Sequence, residues 1–238
     1  MKFEFEHPFD LLVQKPDGDI RIAEAALLFA ADHSPGLDPK SWLERLDGLA
    51  RRVERIEVVS PADQVAALRT VLVEEEGFSA NITDYYDPRN SLLDQVIERR
   101  VGIPISLSVI WLDIARQLRW PFVGVGLPGH FVIKRKTPTG DLLIDPFGGG
   151  QLLSRAGCER LVSQLLGKPV QLDDSAFEAV AAKAVLMRML NNLRTVLSQQ
   201  EAWSSTACVL ARMLALEPDS ELIRREIAMV GVRIAELN

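Results

Sequence analysis

The feature that most constrains this chain is a change of period along it. From Asp19 to Leu118 apolar residues recur every three or four positions, from Phe122 to Asp145 they come in short runs broken by turn residues, and beyond Asp173 the helical spacing returns. Such a chain reads as helices packed with one small antiparallel sheet, an α+β fold.

The punctuation sharpens this reading. Ile22, Ala26, Phe29 and Ala30 mark a first helix, stopped by Ser34-Pro35-Gly36. Asp38 before Pro39 opens a second helix through Trp42, Leu46, Leu49, Val53 and Ile56. Ser60-Pro61 repeats that opening for a third, which carries Val65, Leu68 and Leu72 and closes at Gly77. The first 80 residues are expected to be all helix. After turn chemistry from Tyr85 to Ser91, the residues Leu92, Val96 and Val101 predict a helix ending at Gly102. Pro104 then opens a helix from about Ile105 to Leu118, apolar enough to be central. Three strands follow as a meander: 122–127, 130–135 and 142–145. Gly148-Gly149-Gly150 is expected to end it as a flexible loop, since neither a Lys-Ser/Thr pair nor an opening helix follows to make a phosphate cradle.

In the tail, Leu186, Leu190, Leu193 and Leu197 share a 4-3-4 spacing with Ile223, Ile227, Val230 and Ile234, and a middle helix carries Ala207, Leu210 and Leu214. The expected organisation is a helical N-terminal region (1–80), a core (81–172) and a helical tail (173–238), docked together as one unit.

Composition enters through what it excludes. With 47% apolar residues and a formal net charge of −6, the 238-residue chain has an acidic surface, which weighs against nonspecific nucleic-acid binding. Cys158 and Cys208 lack metal-ligand spacing, so neither a disulfide framework nor a zinc site is indicated, and a reducing compartment fits. The acidic start MKFEFEHPFDLL does not read as a signal peptide, and no apolar run approaches the ~20 residues of a membrane span. A cytoplasmic protein with no membrane partner and no cofactor is expected.

Chemistry concentrates at His130 and Asp145. A hairpin loop at Lys136 to Thr139 would set these two directly opposite one another on one sheet face. Opposed Cβ atoms lie about 5 Å apart, close enough for a carboxylate to accept an imidazole N–H and orient the ring as a base. The plainer alternative is that both are strand-end residues. A metal site on this pair would lack further ligands, since His7 and His33 lie in the helical N-terminal region.

Four segments carry a resemblance: Asn90-Ser91-Leu92, Gly102-Ile103-Pro104-Ile105-Ser106, Gly126-Leu127-Pro128-Gly129-His130-Phe131 and Ile144-Asp145-Pro146-Phe147. Together they resemble the bacterial SirB-type family of transglutaminase-like proteins, strongly from about Asp84 to Leu153, with a tetratricopeptide-like helical tail. In that tail Arg194 stands where a glycine is usual and Met213 where a small residue is usual. The resemblance implies a papain-like core in which a cysteine at the start of the central helix works with a His and an Asp from the following strands. His130 and Asp145 match the last two positions, but a gapless match puts Pro104 at the cysteine, and proline cannot be a nucleophile.

Ser106 is the nearest hydroxyl, about 200° of rotation and 3 Å of rise along a helix from Pro104, so it does not inherit the cysteine's aim. Ser108, one turn on, is expected to bond the preceding turn. Cys158 and Cys208, the latter on the apolar side of a tail helix, are expected to be inert packing residues. Asn90 either bonds near the site or caps the next helix, and with Pro104 and Gly129 it completes the candidate binding residues.

Two functions follow. The first is a noncatalytic regulatory or interaction protein whose cleft and tail bind a protein or peptide; the second is a hydrolase or acyl-transfer enzyme using His130 and Asp145 with Ser106 or an activated water. Self-association through the face from Leu186 to Ile234 is a third, structural reading.

Overall fold

The computed structural model describes residues 7–138 and 140–237. Thr139, expected in the hairpin loop, lies outside them. The chain opens with α1 (Pro8–Leu12), α2 (Ile22–Ala30), α3 (Pro39–Glu54) and α4 (Pro61–Arg69), the last running on as a π-helix through Thr70–Glu75. The helix starts follow local chemistry. Asp38 accepts the N–H groups of Lys40 and Ser41 at 3.1 and 3.3 Å, while Ser60 and Asp63 form a reciprocal capping box. At five residues, α1 is too short to show a period, which is why the apolar spacing does not announce it.

The N-terminal region is not all helix. Ser79–Ala80 (β1) pairs in parallel with Val101–Gly102 (β2). The helix before β2, α5 (Leu93–Arg99), stops short of the expected Gly102 because Arg100 turns left-handed at φ 58° and ends it. Val101, which fits the helical spacing, is therefore a strand residue.

Next come α6 (Pro104–Gln117) and a four-stranded antiparallel sheet of β3 (Phe122–Leu127), β4 (His130–Arg135), β5 (Leu142–Asp145) and β6 (Gln151–Leu153), in that order. The three glycines do not end the meander; they turn it into β6. Gly150 has φ +76°, and a Cβ there would sit 2.5 Å from the Trp111 ring, so the turn is packed against α6.

The β4–β5 register also differs from expectation. Ile133 pairs with Ile144 and Arg135 with Leu142, two residues away from the pairing that would oppose His130 and Asp145. A shift of two keeps every side chain on its original face, so His130 and Asp145 remain on one face as diagonal neighbours.

The two faces of the sheet meet different helices. Phe131, Ile133 and Ile144 join Ile110, Trp111 and Ile114 of α6 in the main core. The alternate residues Val132 and Leu143 form a second cluster with Cys158 and Val162 of α7 (Arg155–Leu166). Three helices follow: α8 (Ala182–Gln199), α9 (Trp203–Leu216) and α10 (Glu221–Glu236), with α9 packed on α8, α10 on α9, and α8 also against α2 and α6. Their short connections make neighbours antiparallel. Among the described residues no helix is long and apolar enough to cross a membrane.

Candidate functional site

His130 opens β4 after the two-residue turn Pro128-Gly129, whose Gly129 is exposed with φ +71°. Its Nε2 lies 3.0 Å from Asp145 Oδ1, and the two residues are only 3% and 2% exposed. Asp145 Oδ1 also accepts the Phe147 N–H at 3.0 Å, which fixes the carboxylate from the chain just beyond it. The other ring nitrogen, Nδ1, has no hydrogen-bond partner among the described residues. It is also not one of their solvent-sealed, unpartnered atoms, so it is the nitrogen that meets solvent. By strand alternation the pair shares its face with Val132 and Leu143, on the α7 side of the sheet.

A second set of residues closes around this pair. Phe147 lies edge-on to the His130 ring at 5.9 Å between centroids, and Tyr85 lies edge-on to Phe147 at 6.3 Å. Asn90 holds the Tyr85 loop, donating to the carbonyls of Asp84 and Tyr85 at 2.8 and 3.1 Å and accepting from Asn81 at 2.9 Å. It does not cap α5, whose N-cap is Leu92. Arg188 of α8 donates through Nη2 to the carbonyls of Leu127 and His130 at 2.9 and 2.5 Å, clamping the turn that presents the imidazole. Phe147 lies two residues after Asp145, in the Ile144–Phe147 segment that carries the resemblance, whereas Arg188 reads as an ordinary surface charge on a tail helix.

The start of α6 is arranged differently. Pro104 is buried at the first helical position. Ser106, fully buried, accepts the Ile103 N–H and donates to the Ile103 carbonyl, both at 3.1 Å. Its hydroxyl is thus occupied locally and makes no hydrogen bond to His130. Ser108 does not bond the preceding turn as expected: its buried hydroxyl has no partner among the described residues. The residues grouped by the sequence as one site therefore fall into separate hydrogen-bonded sets: His130 with Asp145, Ser106 with Ile103, and Asn90 with the Tyr85 loop.

Cys158 packs on the same sheet face as Asp145. Burial, assisted by the Asp145 charge, pushes its thiol up to about 11. At pH 7 only about one such thiol in 10⁴ would be the nucleophilic thiolate. Cys208 is exposed on α9, not on its apolar side. Among the described residues no group of three or more His, Cys, Asp or Glu is placed to hold a metal ion.

A family model described as the transglutaminase-like superfamily matches residues 40–191. Among curated proteins, a UPF0162 protein of Xylella fastidiosa (strain 9a5c) is 37% identical over 229 residues, covering 92% of this chain and 79% of its own length. A UPF0162 protein of Pseudomonas aeruginosa is 33% identical over 186 residues, 78% of this chain and 67% of the relative. F-box only protein 21 of Homo sapiens is 35% identical over 146 residues, which is 58% of this chain but 22% of that protein. No solved structure matches the chain.

Proposed function

This chain belongs to the transglutaminase-like superfamily and stands with its UPF0162 relatives, and on that premise we propose that it is a noncatalytic interaction module that binds a peptide or protein at the His130 corner. One observation carries the reading. The imidazole is oriented by Asp145, yet no hydroxyl or thiol of the described residues hydrogen-bonds it. Covalent catalysis needs a nucleophile within hydrogen-bond reach of its base. Here Pro104 stands at the matched position, Ser106 is engaged with Ile103, and Cys158 is held protonated.

The module reading gains support from the recurrence of a similar stretch as about a fifth of F-box only protein 21. On the same reading the chain is a SirB-type cytoplasmic protein with a helical N-terminal region (1–80), a transglutaminase-like core (81–172) and a tetratricopeptide-like tail (173–238). The tail then contributes to partner choice and regulation. Asn90 and Gly129 shape the binding corner through the Tyr85 loop and the turn before His130, and Pro104 seats the central helix.

A second reading is favoured by the solvent-facing Nδ1 of His130: the ring could activate water as a general base in a hydrolase. The test is a panel of ester, amide and glutaminyl substrates offered to the wild-type chain and to His130→Ala. The module reading expects no turnover that the substitution removes. A hydrolytic or transfer activity lost in a folded His130→Ala protein would sink it.

A further inference from the structure

Three partly buried arginines invite comparison. Arg21 is held by Asp113 through two contacts of 2.8 Å and by Asp47 at 2.9 Å; Arg212 is held by Asp10 at 2.6 Å and Asp32 at 2.9 Å. Arg188 has no carboxylate partner among the described residues. Among the described residues its hydrogen bonds run from Nη2 to two carbonyls, while its guanidinium lies 5.6 Å from the Phe131 ring centroid.

The remaining donors are open. Neither Nε nor Nη1 is among the solvent-sealed, unpartnered atoms of the described residues. Nη1 lies over Gly126, where a Cβ would come within 3.2 Å of it. Burial pushes the Arg188 pKa down, only partly offset by Tyr85, whereas for Arg21 and Arg212 the acids outweigh burial and the pKa is raised. A cation partly withdrawn from water and given no counter-ion costs free energy that a bound anion recovers.

The surroundings say what kind of anion. Tyr85 contacts Tyr86 edge-on at 5.4 Å, and both Tyr86 and Ile82 stand exposed on the same loop. An apolar shelf on the loop of Tyr85, near a cation with no acid partner among the described residues, complements a peptide that carries a carboxylate next to an apolar side chain.

We propose that Arg188 anchors a carboxylate of a bound peptide through its Nη1 donors, with the Tyr85 hydroxyl as a second donor and the Ile82–Tyr86 loop covering the neighbouring apolar side chain. This rests on the binding-module reading and names the chemistry of its ligand. Arg188 joins the clamp on the His130 turn to the recognition of the ligand's charge.

The test is an NMR titration of the ¹⁵N-labelled full chain with N-acetyl-Leu-Phe-Glu-amide, its Gln counterpart, and the Gln peptide as the free acid. The Glu peptide should shift Tyr85, Leu127, His130 and Arg188 resonances saturably, and the Gln amide should bind about tenfold more weakly or worse. Binding by the free-acid Gln peptide would also support the anchor, with a terminal carboxylate in the place of the side chain. Arg188→Lys should weaken the acidic peptides about tenfold, and Tyr85→Phe, which leaves the turn clamp untouched, by a smaller factor. Equal binding of the Glu and Gln amides would overturn the carboxylate anchor while leaving peptide binding at this corner intact. No shift from any of the three would overturn both.

Discussion

Two buried polar sites in this molecule use the same residue types to opposite ends. At the first, Arg21 reaches from the edge of α2 to Asp113 on α6 and Asp47 on α3, so every charge is answered inside the protein. At the second, His130 leans on Asp145, but Arg188 has only carbonyls, and one imidazole nitrogen is left to solvent. A closed charge network locks helices together; an open one keeps donors available to something outside. The contrast teaches that two sites of similar burial can differ chiefly in whether their charges find partners inside the protein.

Breaking the closed site should have the largest effect. Asp113→Ala would leave Arg21 without its main partner and is expected to cost about 3 kcal/mol or more, read as a lower denaturant midpoint. At the open site, Asp145→Ala removes the acceptor for the His130 ring and the Phe147 N–H and should cost about 1–3 kcal/mol. A loss as large as that of Asp113→Ala would mean that both sites are structural. Arg188→Gln should cost only about 1 kcal/mol, because carbonyls rather than buried acids lose a partner. If it proves as damaging as Asp113→Ala, the clamp on the turn outweighs any role in recognition.

The smallest effect at neutral pH sharpens the comparison from the α7 side. Cys158 is held protonated in the fold, with its pKa raised from 9.0 to about 11. The unfolded chain gives up that proton first, so stability should fall as pH rises from 9 toward 11 and be unaffected below. Cys158→Ala should flatten this slope in a pH series of unfolding curves. In the native protein at pH 7, iodoacetamide should label the exposed Cys208 and spare Cys158. Rapid labelling of Cys158 would place an activated thiol beside Asp145 and reopen the enzyme reading.

Much of the fold was legible because it rests on short-range rules. Asp38-Pro39 and Ser60-Pro61 state helix starts in adjacent residues, and the limits of β3, β4 and β5 follow from Pro128-Gly129 and the change of period. The loop after Arg135 was judged too short, which misplaced the register by two, yet the pair stayed on one face because strands alternate with period two. Short elements escaped: β1, β2 and β6 hold two or three residues each and carry no readable alternation. At the site, the sequence left Asn90 between bonding near the site and capping α5 because its partners are loop carbonyls, and it misplaced the Ser108 bond because nothing in sequence reveals a hydroxyl without a partner among the described residues.

By itself the sequence determined the helix–sheet–helix order and the placing of an imidazole and a carboxylate on one face of adjacent strands, because these depend on neighbours and periodicity alone. Only the tertiary structure decided that Arg188, some sixty residues along the chain, closes on the turn before His130 without an acid to answer it, and that Cys158 lies beside Asp145. Such meetings come from the packing of α8 and α7 against the sheet, where distance along the chain has no bearing on distance in space.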